Sequence, residues 1–368
     1  MHIVCLKKYL RKAGLLSEKI SYNSPTLPIL NAVLISTGDN SVKFSSTNLE
    51  ISLEVSVPAK IKESGSIAIP SKLFSGLISS IDDEDEVTIE SLNDGAMIVT
   101  KNSSTTIKGY PVEDFPVLPK IKAQKTFVVS VSDFMMGLRS VYYSTSLSEM
   151  KPELNSVFIY SSKNTPLSFV ATDTFRLAEK TIPYNFPDLS GFLVPQKSVV
   201  EILRVFDDQE EDLSVSIDEN NIALTSNNMK FTSRLVEGSF PQYKQLVPSV
   251  FTNTVIVEKK DFSNALKSTS MFRGKLNEIK IRIYKNEDYI ELQTSNPDLG
   301  EHVISITAKT DGDDDLMSLF SHRYLVDFLS SISSDKIKLR FSGEGKSLLV
   351  SDYNNTSFMY LVMPIKDV

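Results

Sequence analysis

The chain has 368 residues, 41% of them apolar, with one cysteine, three histidines and a formal net charge of −7. That length allows two or three domains, each with its own core, and the composition excludes a disordered or membrane-embedded chain. Cys5 cannot form an internal disulfide, no apolar run nears the roughly 18 residues of a bilayer span, and His2, His302 and His322 are too scattered for a metal cluster.

In chain order, "MHIVCLKKYLRKAG" has basic residues but no long apolar core, so it does not read as a secretory signal. With the lone thiol it points to a reducing cytoplasm. A helix is expected over about residues 6–20, with Leu6, Leu10, Ala13 and Ile20 inward and Lys8, Arg11, Lys12 and Lys19 outward. Alternating strands follow, broken by the polar Thr47-Asn48 step of "KFSSTNLEISLEVSVP". A second helix is expected over about 71–80, carrying Lys72, and then an acidic loop, "DDEDE". A hairpin turns at Asn93-Asp94-Gly95, residue types suited to positive φ.

The same order then recurs. A helix over about 132–146 buries Phe134, Leu138 and Val141 and turns Arg139 and Tyr143 outward. "SFVATDTFRLAEKTIP" repeats the earlier stretch: Thr172 lies 125 residues after Thr47, and Pro183 lies 125 after Pro58. "GFLVPQKSVVEILRVF" repeats "SIAIPSKLFSGLISSI", with Pro195 on Pro70 and Lys197 on Lys72 at the same offset. Its helix, about 196–206, packs Val199, Ile202, Leu203 and Phe206 and exposes Lys197 and Arg204. "DDQEED", a hairpin turning at Glu219-Asn220-Asn221, and Phe240-Pro241 on Phe115-Pro116 complete the second copy.

A fainter third copy has helices over about 260–273, with Lys267, and about 322–331, with Arg323. Ser295-Asn296 echoes the Thr-Asp turn, Asp327 aligns with Glu201, "DGDDD" gives the acidic loop, and Gly343-Glu344-Gly345 turns the last hairpin. The pattern predicts three α+β domains, 1–124, 125–251 and 252–368, each with two helices packed on its sheets. Helices lean basic and connections lean acidic, so a charged lining can coexist with a negative total.

Catalytic chemistry is missing from the pattern. There is no phosphate loop, no dinucleotide fingerprint and no nucleophile elbow. Asp313, Asp314 and Asp315 lack calcium-loop spacing. Asp173 reads as an Asx turn, and His322 as an exposed helix residue. No enzyme activity, cofactor or metal is expected. The threefold repeat with no active-site constellation favours a scaffold, and a sheet-rich protein–protein scaffold without DNA engagement stays open as the alternative reading.

"TLPILNAVLI", "VEDFPVLP", "FVATDTFRLA", "FLVPQKSVVEIL", "EGSFPQYKQLVP" and the terminal "YLVMPI" resemble the beta subunit of bacterial DNA polymerase III, the sliding-clamp family, in order along the whole chain. The resemblance implies a clamp fold with sheets outside and helices lining a hole. It implies a head-to-tail homodimer that encircles duplex DNA without reading sequence, holds the replicative polymerase and other clients, and is opened by a clamp loader. The DNA-facing set would be Lys8, Arg11, Lys12, Lys19, Lys72, Arg139, Tyr143, Lys197, Arg204, Lys267 and Arg323. A peptide pocket would use Leu154, Thr172, Thr174, Phe175, Arg176, Leu177, Pro241, Leu246, Ser321, Tyr324, Val362, Met363, Pro364 and Ile365, with Lys151, Gly345 and Ser347 at its margins. Thr105 and Ile107 would meet Met271 and Phe272 of a partner. Two departures stand out: Thr174-Phe175 replaces the family's usual Gly-His, and Ser24 replaces a basic residue.

Overall fold

The computed structural model describes residues 1–22, 24–82, 86–207, 211–312 and 314–365, apart from the side chain of Asn185. The acidic runs 82–86, 207–212 and 311–315 lie partly outside the described residues.

One order of elements is written three times. In the first, β1 (His2–Leu6) enters α1 (Lys7–Ile20). Strands β2 (Ala32–Thr37), β3 (Ser41–Thr47), β4 (Ile51–Pro58), β5 (Lys60–Glu63) and β6 (Ser66–Pro70) lead to α2 (Ser71–Ser79), and β7 (Glu86–Leu92), β8 (Gly95–Val99) and β9 (Ser104–Lys108) follow. The second has β10 (Lys125–Ser130), α3 (Val131–Val141), β11 (Ser156–Ser161), β12 (Thr165–Thr172), β13 (Arg176–Phe186), β14 (Leu189–Pro195), α4 (Gln196–Val205), β15 (Asp212–Ile217), β16 (Asn221–Ser226) and β17 (Met229–Arg234). The third has β18 (Asn253–Glu258), α5 (Lys259–Thr269), β19 (Glu278–Ile283), β20 (Tyr289–Asn296), β21 (Gly300–Gly312), β22 (Leu316–Ser321), α6 (His322–Asp327), β23 (Lys336–Phe341), β24 (Leu348–Asp352) and β25 (Phe358–Val362).

The chain divides into two compact units, Met1–Ser132 with Val200–Leu235, and Asp133–Val199 with Val236–Val368. The first holds a sheet in the order β5-β1-β7-β8-β9 and another in the order β10-β15-β16-β17-β4-β3-β2-β6. In the latter, β17 of the second copy pairs antiparallel with β4 of the first, from Met229↔Val55 to Ser233↔Ile51. The second unit holds one sheet, β14-β11-β12-β13-β25-β24-β23-β18-β21-β20-β19-β22. There β25 of the third copy pairs with β13 of the second, from Arg176↔Val362 to Lys180↔Phe358. The same kind of strand makes the junction both times: the last strand of one copy against the third long strand of the copy before it.

Burial follows the expected periods with local exceptions. On α1, Leu10, Ala13 and Ile20 are buried. Leu6 is not on the helix: it ends β1 and is 37% exposed, while Lys7 takes the buried first-turn position. On α4, Val199 and Ile202 are buried as expected, as is Phe206 just past its end, but Leu203 is half-buried and Val205 is buried in its place. The helices expected to reach 146, 273 and 331 end early, in single 3₁₀ turns at Tyr142–Ser144, Ser270–Phe272 and Phe328–Ser331. Hydroxyls that bond back to helix carbonyls accompany two of these ends, Ser140 to Met136 and Thr269 to Ala265.

Hairpin turns are built in more than one way. Gly343 and Gly345 take positive φ as expected. The Glu219–Asn221 turn instead uses Asp218, whose Oδ1 accepts the N–H groups of Asn220 and Asn221.

In two copies one aromatic ring marks the packing of helix on sheet. Phe44 stacks on Phe74 at 5.7 Å, and Phe169, 125 residues after Phe44, meets Phe134 edge-on at 5.3 Å. Gly137 in α3 lies so close to Phe169 that an added Cβ would stand 2.5 Å from the ring. Helix propensity alone would favour Gly137→Ala by about 1 kcal/mol. Overpacking against a fully buried ring costs about 1–3 kcal/mol. Gly137→Ala is therefore expected to lower stability in urea unfolding despite its better propensity; an unchanged or raised midpoint would contradict the close approach.

Candidate peptide pocket and nucleic-acid interface

The Thr-Asn and Thr-Asp steps fold into the same turn. Thr47 Oγ1 donates to the Ile51 carbonyl at 2.8 Å, and Thr172 Oγ1 to that of Arg176 at 2.7 Å. Asn48 Oδ1 accepts the N–H groups of Glu50 and Ile51; Asp173 Oδ1 accepts those of Phe175 and Arg176. Asp173 thus has the Asx-turn role read from the sequence. The third residue is left-handed in both turns, Leu49 at φ 77° and Thr174 at φ 79°. Thr174 holds this conformation although it is β-branched and pays for it in strain. The Ser295-Asn296 echo is looser: Asn296 caps the Asp298 N–H, while Thr294 bonds away to the Thr269 carbonyl.

The second turn sets the pocket rim. It leaves Phe175 61% exposed, and the Phe175 carbonyl accepts the N–H of Met363, itself 44% exposed, at 2.8 Å. Strand pairing puts Arg176 opposite Val362 and Leu177 opposite Leu361. Beyond Val362 the chain stays bound, with the Ile365 N–H on the Leu319 carbonyl. Met363 and Pro364 line a cleft of about 630 Å³ with Gly345, Ser347, Lys346, Pro248, Val250 and Thr252. Ile365 and Gly345 line a neighbouring one with Ser318 and Leu319. Leu246 is exposed near this cleft's loop, on the turn Tyr243–Leu246, and Pro241 is exposed just before it. Lys151 and Leu154 close a separate turn, the Leu154 N–H donating to the Lys151 carbonyl. Leu154, Thr172, Leu177 and Val362 are buried and act as foundation rather than open wall. Ser321 and Tyr324 are half-buried. Pro248, Val250, Thr252 and Lys346 were not among the expected pocket residues; Pro248 closes the stretch "EGSFPQYKQLVP", and no repeat or motif marks the other three.

Arg176 is the anchor beneath the rim. It is 5% exposed. Its Nε donates to Asp173 at 2.9 Å, Nη1 to Asp327 and Nη2 to the Tyr143 carbonyl, while its plane lies 4.4 Å from the Tyr324 ring centre. A guanidinium so engaged has little left to offer a ligand; it positions the elements around it. Tyr143 belongs to this cluster, which corrects its expected outward placement. Its hydroxyl meets Ser331 Oγ at 3.1 Å, and burial pushes its phenol pKa up. A helical wheel carried through 146 turned it outward because the wheel ignored the 3₁₀ end.

The expected cations on the helices are otherwise exposed: Lys8, Arg11, Lys12, Lys19, Lys72, Arg139, Lys197, Arg204, Lys267 and Arg323. Several meet acids. Lys197 Nζ lies 2.7 Å from Glu149, Arg204 Nη1 2.8 Å from Glu201, and Arg323 Nε 3.8 Å from Asp327. Ser24, at the position of the missing basic residue, is nearly buried and accepts the Leu27 N–H.

Of the proposed contact residues, Thr105 and Ile107 lie on β9, the edge of its sheet. Ile107 is buried and its backbone pairs inward with Ala96, so the outward N–H and C=O of this edge belong to Thr106 and its alternate neighbours. Met271 is 66% exposed, and Phe272 stacks on His302 at 5.5 Å.

The fold and its threefold order define a three-domain clamp. The chain matches the DNA polymerase III beta subunit over its N-terminal domain (residues 1–119), central domain (129–242) and C-terminal domain (244–366). It is 24% identical over 362 residues to the beta sliding clamp of Staphylococcus aureus, covering 95% of this chain and 96% of that protein. Its structure is similar to the DNA polymerase sliding clamp of Bacillus subtilis, with TM-score 0.94, 25% identity and full coverage of both chains. It is also similar to the sliding clamp of Pseudomonas aeruginosa bound to griselimycin, with TM-score 0.95, 23% identity and full coverage of both. The chain belongs to the bacterial DNA polymerase III beta subunit family. Its function is that of a DNA sliding clamp, the non-catalytic processivity factor of the polymerase, and a scaffold without DNA engagement is not favoured. No helix among the described residues is long and apolar enough to cross a membrane.

His322 departs from its expected exposure. It is 2% exposed at the start of α6, with Nε2 2.7 Å from the Leu266 carbonyl. That carbonyl can only accept, so Nε2 carries the proton. Nδ1 is buried with no hydrogen-bond partner among the described residues. Burial lowers the pKa below its ordinary 6.5, and Arg273 adds to the effect. The folded state therefore prefers neutral imidazole, and the unfolded chain binds the proton more readily. This contribution to stability is complete above the unfolded value near 6.5 and is lost as pH falls below it. Urea unfolding at about pH 7.5 and about pH 5.5 is expected to show the wild type losing more stability on acidification than His322→Gln; equal losses would contradict the assignment.

Proposed function

We propose that two chains close head to tail into a ring, with the boundaries of the three domains near residues 124 and 251. Duplex DNA passes through the ring, and the exposed lysines and arginines of the helices face it. Contacts to phosphate carry no sequence information, which is what a protein that must slide requires. Enclosure supplies retention, and charge only centres the duplex.

The observation that carries this reading is the repeated junction. β4 pairs with β17, and β13 pairs with β25. The corresponding strands left over are β9 at the start of the series and β21 at its end. β9 pairs on one side only, with β8. β21 pairs with β20 through Gly300–Thr307, but with β18 only from Ala308 onward. Two copies related head to tail would fill both edges. The exposed Val303 and Met271, with Phe272, supply apolar cover beside the open edge, where Thr105 and the outward backbone groups of the Thr105–Ile107 strand would meet them.

The rim of Phe175 and Met363, with the cleft beside it, accepts a short peptide from the replicative polymerase or another client. Griselimycin in the Pseudomonas aeruginosa clamp supports a ligand-binding surface on this fold. A clamp loader opens the ring, and the work is done in the cytoplasm.

Retention on DNA tests the reading. Loaded protein is expected to remain on nicked circular duplex at high salt and to be lost when the circle is cut. A chain ending at Val362 is expected to stay on the circle but fail to retain the polymerase. Equal loss from intact and linear DNA would overturn the ring, and full polymerase retention by the shortened chain would overturn the pocket.

A further inference from the structure

The helix cations are not equivalent. In the second and third copies, three of them are held by carboxylates. Lys197, at the start of α4, lies 2.7 Å from Glu149. Hydrogen bonding to that lysine holds the Glu149 carboxyl below its ordinary pKa. Arg204 lies 2.8 Å from Glu201. The Glu201 side chain is only 18% exposed, and its second oxygen, Oε2, is buried without a hydrogen-bond partner. That carboxylate cannot easily turn away, and Arg204 is its visible counter-charge. On α6, Asp327 sits at the position aligned with Glu201 and lies 3.8 Å from Arg323 while also accepting from Arg176.

The first copy differs at the same position. The residue 125 before Glu201 is Gly76, which has no carboxylate to offer. Among the described residues, Lys12, Lys19 and Lys72 of the first copy have no carboxylate within the 4.0 Å of an ion pair, whereas in the third copy only Lys267 of the expected cations shares that condition.

We propose that Glu149, Glu201 and Asp327 are built-in counter-ions that compete with DNA phosphate for Lys197, Arg204 and Arg323, so that the duplex is held chiefly by the helices of the first copy. This inference rests on the reading that the helix cations face duplex. A cation already paired releases fewer counterions on meeting phosphate, so it adds less to affinity and to salt dependence. The grip is thereby uneven around the ring, with a strong sector and a weak one, and the weak sector lets the duplex tilt and move.

The test is a titration of a short fluorescent duplex across a salt series with the full-length protein. E149Q/E201Q is expected to bind at least about threefold tighter at low salt, with log affinity falling more steeply against log salt by up to about 0.9 per cation released. D39N/E113Q makes the same charge change at two exposed sites that form no ion pair with these cations and is expected to tighten binding less than about twofold, by long-range attraction alone. If E149Q/E201Q binds no tighter than D39N/E113Q, the counter-ion proposal is overturned. K12E/K72E separates the two levels. If it weakens binding while E149Q/E201Q matches its control, only the counter-ions fail. If K12E/K72E leaves affinity unchanged, the helix faces do not meet DNA, and both readings fall.

Discussion

Backbone pairing at the edges of sheets is the constraint on which this molecule depends. An edge strand exposes N–H and C=O groups that must find water or a partner. The chain meets this requirement twice in one way, by laying the last strand of one domain copy against the third long strand of the copy before it. Because the rule is applied by repetition, it leaves one edge of each kind unspent. A second copy is the simplest source of both missing partners, and the proposed closure would abolish the edges that otherwise recruit unrelated chains.

The same constraint positions the proposed peptide pocket. Pairing of β13 with β25 sets Arg176 against Val362 and brings the Phe175 turn onto the segment after the last strand. The pocket is thus built across a domain junction rather than inside one domain. Arg176 secures the junction from below, with Asp173 and Tyr143 contributed by the second copy and Asp327 and Tyr324 by the third. Removing Arg176 from this buried cluster would leave Asp173 and Asp327 without their shared counter-charge, at a cost of about 3–5 kcal/mol. The rim tolerates variation because it is exposed. Phe175 offers an exposed aromatic ring where the resemblance leads one to expect imidazole, directly after the left-handed Thr174.

Much of this was legible in the residues. The 125-residue offset between Thr47 and Thr172 carries through to matching hydrogen bonds and matching left-handed residues. Apolar periodicity found the faces of α1 and α3 because burial of those faces is what makes the helices stable. Other features could not be read. Tyr143 and His322 are covered by elements remote in sequence, which a helical wheel does not see. Leu6 was drawn into α1 because a strand running into a helix offers no capping residue to mark the boundary; its φ and ψ are extended and no side-chain cap is present. The pairing of Lys197 with Glu149 joins two exposed groups distant in sequence, and no motif announces it.

The central claim is that the unpaired edges of β9 and β21 are completed by a second copy. Light scattering coupled to size exclusion at micromolar concentration measures this directly, on the wild type and on a variant with proline at Thr106, whose N–H lies on the edge strand. The account predicts twice the mass of one chain for the wild type and a shift towards the single-chain mass for Thr106→Pro. A wild type that runs as a single chain would contradict it.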